Sequence, residues 1–320
     1  MPGKIANPSV RIMGMPCTIE VANDATIATL TGNAATVHSF AENEQCLAPN
    51  TIYRQPLWRR WFRRPLQPHA HIVMPPLDTN LVLWKVNSNT TIPALAANVG
   101  ITGEGSFTIG RVESFVLELA NGTANVEEID GNCRIVVSQD VTVNVYDGVI
   151  DQANVSPYKD CFINISAYVG NLRSHMGSDN DVHLLKVNGG QITGRDNNKI
   201  SITQVTGHLK IDAGANTYVS IGAAKRLTLD CGSHSSIEVK ELTGDSFCAQ
   251  LDKDTALDVS VGTPVALANV DLALGTRAKA TINADVTGGT IHLGRNAELS
   301  LRSWSPDVVK TGPGRLFTIG

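Results

Sequence analysis

The sequence predicts an all-β chain wound for much of its length into a right-handed parallel β-solenoid. Three observations carry that expectation: apolar-polar alternation in short segments, a fixed distance from glycine to the next inward residue, and scarcity of proline in the repetitive region. Alternation sends successive side chains to opposite faces of a strand, whereas few windows show the i, i+3, i+4, i+7 spacing of a helix. With 42% hydrophobic residues but only 5% aromatic ones, the core must be built from Val, Ile, Leu and Ala, which suits many thin strands.

Strand candidates along the chain are Thr18–Val21, Leu81–Val86, Ser114–Leu119, Arg134–Val137, Val141–Tyr146, Phe162–Ala167, Asp181–Val187 and Ile200–Thr203. The most ordered run starts near Gly207. There HLKIDAG, TYVSIGA, RLTLDCG and SIEVKEL place inward pairs at Leu209/Ile211, Val219/Ile221, Leu227/Leu229 and Ile237/Val239. Leu257/Val259, Ala280/Ile282, Ile291/Leu293 and Leu299/Leu301 repeat the pattern further on. Gly214 to Val219, Gly222 to Leu227, Gly232 to Ile237, Gly275 to Ala280 and Gly294 to Leu299 are each five residues. Glycine at such corners is expected to supply positive-φ backbone. Strand units about ten residues apart leave two coil lengths open, about 18–20 residues from two units or about 27–30 from three. A β-sandwich is the alternative, since it too shows short strands at regular intervals. Against it, only Pro157 and Pro264 fall between residues 94 and 303.

The units LGTRAKATIN, LGRNAELSLRS and AGANTYVSIG resemble the rungs of β-helical adhesins, passenger domains and polymer-forming bactofilins. The resemblance covers residues 181–303 well and 106–180 weakly, and the repetitive region is longer and less regular than a compact bactofilin core. It implies a parallel β-helix whose coils bury their inner faces against one another. The expected organisation is an N-terminal β segment (1–50), a Pro-rich basic and aromatic insert (51–80) acting as linker or cap, and the solenoid (81–320).

The insert changes the character of the chain. YRQPLWRRWFRRPLQPHAHIVMPP holds two of the four tryptophans and five of the fourteen prolines. Arg54, Arg59, Arg60, Arg63 and Arg64 place +5 there, which leaves −9 on the rest of a chain whose net charge is −4. As a helix from Leu57 to Arg64, the segment would gather Trp58, Trp61 and Phe62 within about 100° and turn the arginines to the opposite side. Arg54, Trp58, Arg59, Arg60, Trp61, Phe62, Arg63 and Arg64 are therefore the candidate binding residues. They suit capping of an open coil end, self-association or contact with a protein partner, or an anionic membrane surface. Nucleic acid is disfavoured, because a body carrying −9 repels the rest of the strand.

No catalytic signature occurs in the chain. Asp181, His183, Arg195 and Asp196 form the best catalytic group, because Asp181 and His183 share one strand face and an adjacent coil could bring Asp196 beside them. β-Helical enzymes that cleave glycans, which the rungs resemble, use outward carboxylates of this kind as acid and base. His69 and His71 are too few for a metal site without a third ligand; neither metal nor cofactor is expected. Ser174–His175 and Cys231–His234 lack the strand-to-helix elbow of a nucleophile. The six cysteines are scattered, as reduced thiols would be, and four N-x-[ST] matches (Asn89, Asn121, Asn154, Asn164) match composition. No signal-like apolar run opens the chain, so the expectation is a cytoplasmic protein or one exported without a cleavable signal peptide. The expected function is that of a non-enzymatic structural or binding protein presenting a solenoid surface. The alternative is a tail-spike-like polysaccharide lyase or hydrolase, which makes polysaccharide a further candidate partner.

Overall fold

The structure, a computed structural model, describes residues 9–13, 17–21, 29–31, 34–38, 44–49, 70–74, 80–87, 89–261 and 266–319. Among them there is no helix, and each strand candidate lies within an observed strand. The chain divides into two units, 1–147 and 148–320.

In the first unit Ser9–Met13 lies between Glu44–Pro49 and Asn80–Asn87, parallel to both. Two short strands run against the others: Thr29–Thr31 beside Ala70–Met74, and Ala34–His38 beside Glu44–Pro49. Leu95–Gln139 then winds as one long, repeatedly bent strand, and Arg111 pairs with Asp130 one coil of 19 residues later.

The second unit is a parallel β-solenoid. Phe162–Met176, Asp181–Gly194, Lys199–Ala213 and Tyr218–Cys231 stack in register, each forming both sides of one coil. Beyond Cys231 the two sides become separate strands. Ser236–Leu242, Ala256–Val261, Lys279–Val286, Glu298–Trp304 and Arg315–Thr318 continue one side. Ser246–Leu251, Asn269–Leu274, Gly289–Leu293 and Val308–Thr311 continue the other. All these pairings are parallel and coil on coil, which excludes the sandwich.

All the inward pairs expected above are buried. They do not stack consecutively, however. Leu209 lies on Leu227, and Val219 on Ile237, so two units make a coil and the shorter of the two coil lengths holds. One coil buries Asn198, Ile200, Ile202, Val205, Leu209, Ile211 and Ala213, each at most 5% exposed. Each fully buried aliphatic side chain of this kind contributes about 1.5–3 kcal/mol relative to exposure.

The corners explain the glycine spacing differently from the expectation. None of Gly214, Gly222, Gly232, Gly275 and Gly294 has a positive φ, and Gly222 belongs to the wider bend on the far side of the coil. At the sharp corner the left-handed residue comes two positions after the glycine: Asn216, His234, Arg277 and Asn296, with φ between 54° and 60°. That conformation turns the backbone N–H along the stack, so Asn216 N donates to Ser233 O (2.9 Å) and Arg277 N to Arg295 O (3.0 Å) in the next coil. Glycine is needed because coils approach closely. A Cβ on Gly214 would lie 2.7 Å from the carbonyl carbon of Arg195, and one on Gly294 would lie 2.9 Å from that of Gly275.

Inside the same corner runs a column of small polar side chains, Asn180, Asn198, Thr217, Ser235 and Thr255, all at most 2% exposed. Asn180 Oδ1 accepts from Cys161 N (3.1 Å) and Asn198 Oδ1 from Asn180 N (3.0 Å). Asn198 Nδ2 donates to Gly177 O (2.8 Å) and Arg195 O (2.7 Å), and Ser235 Oγ accepts from Thr217 N (3.1 Å). Further along, Ala278 and Ala297 occupy the position, and their N–H groups turn back to Gly275 O and Gly294 O. Leaving a buried N–H unpaired is costly, and the fold pairs those of Cys161, Asn180 and Thr217 with a neighbouring coil's side chain and those of Ala278 and Ala297 with their own corners, while Thr217 Oγ1 has no hydrogen-bond partner among the described residues.

Outside the corner, charges tie coils together. Arg277 donates two bonds of 2.6 Å to Asp254, and His234 lies 3.5 Å from the same carboxylate. The hydrogen bond from Arg277 holds the Asp254 carboxyl down at about 2. A carboxyl depressed by folding stabilises above its ordinary value of 3.8 and loses that contribution as pH falls through about 2. In acid denaturation, the stability difference between wild type and Asp254→Asn should therefore be constant near neutrality and shrink between those two values. Urea midpoints measured from pH 6 to pH 2 check this, and an undiminished difference at pH 2 contradicts it.

Candidate functional site

Where strand sides stack in register, their outward residues form columns that climb the second unit from coil to coil. On the side containing Phe162, one column reads Phe162, Asp181, Lys199, Tyr218 and Ser236. The next, two residues on along each strand, reads Asn164, His183, Ser201, Ser220 and Glu238. Alternation alone places these side chains, since every partner between them points into the core.

This side carries a shallow groove. It is lined by Asn164, Ser166, His183, Leu185, Ser201, Thr203, Ser220, Gly222 and Lys240, with Leu184 and Ile202 beneath. The side chains of Asn164, Ser166, Ser201, Thr203, Ser220 and Lys240 form no hydrogen bond or ion pair with other described residues. Gly222 lets the coils approach closely, since a Cβ there would lie 2.4 Å from Thr203 O, and Lys240 stands beside it one coil on, between the pairs Ile221↔Val239 and Ala223↔Glu241. The column that runs through the groove reaches a carboxylate, Glu238, which accepts from Tyr218 OH at 3.4 Å.

Two of the four catalytic candidates meet at its border. His183 Nε2 lies 2.7 Å from Asp181 Oδ1, and Lys199 Nζ lies 3.1 Å from Asp181 Oδ2. The Phe162 ring packs on His183 at 5.4 Å between centroids, tilted by 43°. The other two sit at the sharp corner. Asp196 turns toward the following coil, where its Oδ1 accepts from Ala215 N at 2.8 Å, and Arg195 N donates to Met176 O at 3.1 Å. The candidate group is thus split between a strand face and a corner.

The remaining sequence candidates fall elsewhere. Arg54, Trp58, Arg59, Arg60, Trp61, Phe62, Arg63, Arg64 and His69 lie outside the described residues, and His71 is on the strand Ala70–Met74. Ser174 points inward and donates to Val155 O at 2.9 Å, while His175 points outward and meets Thr193 Oγ1 at 2.6 Å, so they cannot act as a pair. Cys133 and Cys231 are buried reduced thiols that burial pushes up to about 12. No group of three or more potential metal ligands is assembled among the described residues.

The opposite side carries a carboxylate column that the sequence reading passed over. Asp212 and Asp230 are register neighbours there, and burial followed by repulsion from Asp212 raises the Asp230 carboxyl. The column was present in the sequence as the recurring Asp of KIDAG and TLDCG, one place before the last inward residue of each unit.

The sequence matches no known family model, and comparison with curated proteins finds no significant match.

Proposed function

We propose that this chain is a non-enzymatic structural and binding protein whose working surface is the outward strand face of the solenoid. The observation that supports this reading is the use to which the best catalytic carboxylates are put. Asp196 accepts a backbone N–H of the next coil, and Asp181 Oδ2 accepts from Lys199 of the next coil, while its Oδ1 lies beside His183 of the same strand without a hydrogen bond among the described residues. Carboxylates tied in this way set the register of the stack, and an acid–base pair would have to face one shared substrate position. The Trp/Arg segment, with Trp58 and Trp61 as its anchors, serves this reading as the element that caps the fold, drives self-association, or contacts a protein partner or anionic membrane.

The test is a cleavage assay. Incubation with acidic polysaccharides, with and without calcium, is expected to yield no new reducing ends or unsaturated products. Cleavage by the wild type that Asp181→Asn or Asp196→Asn abolishes would overturn the reading in favour of a carbohydrate-active β-helix.

A further inference from the structure

We infer that the side of the second unit bearing Lys210 and Asp271 docks face to face on the same side of a second copy, the two stacks running in opposite directions. The inference rests on the binding role proposed above and names its partner. Eight strands stack in parallel register on this side, from Phe162–Met176 to Val308–Thr311. One outward column passes through Lys210, Thr228, Cys248 and Asp271, and the next through Asp212, Asp230, Gln250 and Ala273. No glycine interrupts these positions, and a second sheet can lie across them as sheets do in a sandwich.

The charges of this side are unpaired. Lys210, Asp212, Asp230 and Asp271 form no ion pair or side-chain hydrogen bond with other described residues, whereas Asp181, Asp254 and Asp285 elsewhere in the unit are bound to cations of adjacent coils. Asp212 and Asp230 are also like-charged neighbours one coil apart, an unfavourable pairing that a donor from outside the chain can offset.

Charge complementarity selects the second copy and its direction. A twofold axis along the strands, at the midpoint of the eight between Thr228 and Cys248, brings Lys210 opposite Asp271 of the second copy and, by symmetry, Asp271 opposite its Lys210. Asp230 then meets the Gln250 amide and Asp212 meets Ala273, so no carboxylate directly opposes another. Sheets packed about 10 Å apart leave a lysine room to reach the facing carboxylate. At about 4.8 Å per strand and about 3.3 Å for each of about five residues, each copy contributes roughly 600 Å². The total of roughly 1,200 Å² is the lower bound for a specific pair and fits a dissociation constant in the micromolar range.

Sedimentation velocity of the full chain over a concentration series is the test. Wild type is expected to show a monomer–dimer equilibrium that raised salt weakens. Lys210→Glu and Asp271→Lys each set like charges opposite one another at two symmetric contacts, and each should weaken the dimer about a hundredfold. The double variant, Lys210→Glu with Asp271→Lys, should return to within about tenfold of wild type. Within one chain the two residues are three coil steps apart, about 14 Å, so restoration reports contact between copies. Lys240→Glu, on the opposite side, should change nothing. A monomer at every concentration, single variants that associate like wild type, or a double variant that stays monomeric would each overturn the proposal. So would association that Trp58→Ala with Trp61→Ala abolishes and Lys210→Glu leaves intact. The cleavage assay decides the non-enzymatic reading separately. A monomer that leaves polysaccharide intact counts against this face alone, and a dimer that cleaves it counts against that reading alone.

Discussion

Asn198→Ala should lower the free energy of unfolding by about 3–5 kcal/mol, since each buried group left unpaired costs about 1–3 kcal/mol. The substitution strands three backbone groups inside the corner at once. Asn180 N loses its acceptor, and Gly177 O and Arg195 O lose their donor. The Asn180 side chain also loses its 3.2 Å bond to Asn198 Oδ1. Alanine is not intrinsically foreign to the position, because Ala278 and Ala297 occupy it, but there the N–H turns back onto its own corner glycine. The corner at Asn198 is built to use a side chain, so alanine there has no equivalent route. Asn198→Ser, which copies the way Ser235 accepts from Thr217 N and donates to Gly214 O, should fall between wild type and alanine. Denaturant unfolding of the three proteins measures the effect, and a loss under about 1 kcal/mol for alanine would show that water or backbone adjustment replaces the ladder.

Gly190→Ala is expected to be more damaging still, by at least about 4 kcal/mol, as strain and overpacking act together. Gly190 has a φ of 135°, a conformation open to glycine and strongly disfavoured for alanine. A Cβ there would also lie 1.9 Å from Leu172 O in the preceding coil. The carbonyl cannot yield without breaking the stack, because Leu172 and Gly190 are register partners. Gly100→Ala provides the contrast. Its Cβ would meet nothing closer than Leu81 O at 4.0 Å, so its stability should stay within about 0.5 kcal/mol of wild type. Thermal unfolding and soluble yield distinguish the two, and equal behaviour would contradict the close approach of the coils at Gly190.

Strand positions and inward pairs were legible in the sequence because alternation is itself the burial pattern. Leu209/Ile211 and Leu299/Leu301 needed no further information. Coil length was not legible, since the sharp corner and the wide bend separate strand units by similar numbers of residues. Only pairing shows that Val219 meets Ile237 and not Leu227. The role of the glycines was hidden for a related reason. Positive φ falls on residues as unlike as Asn216, His234 and Arg277, which share no composition signal, while the conspicuous glycines answer to the proximity of a neighbouring coil.

The polar column escaped notice because Asn198, Thr217 and Ser235 look like ordinary turn residues. Their constant place, two residues before the first inward apolar side chain, was the available signal. In the candidate site, the shared face of Asp181 and His183 followed from their spacing. The commitment of Asp196 to Ala215 did not, because it depends on which coil comes next. Ser201, Thr203 and Ser220 carry no signature at all. They are ordinary outward strand residues until stacking lines them up beside Lys240.

Successive coils differ in length. Asp179 and Asn197 are 18 residues apart at equivalent corner positions, whereas Asp254 and Arg277 are 23 apart. Register survives the difference, with Leu257 still opposite Ala280 and Phe247 opposite Val270. Corner residues keep the phase, so the surplus length falls between Val261 and Leu267, and Leu267 is already buried and bridged to Val286 of the next coil. For a gene, that makes this interval a place where codons can be gained or lost without rewriting the neighbouring coils. For an engineer, it marks where a foreign peptide can be spliced in while the scaffold keeps its count.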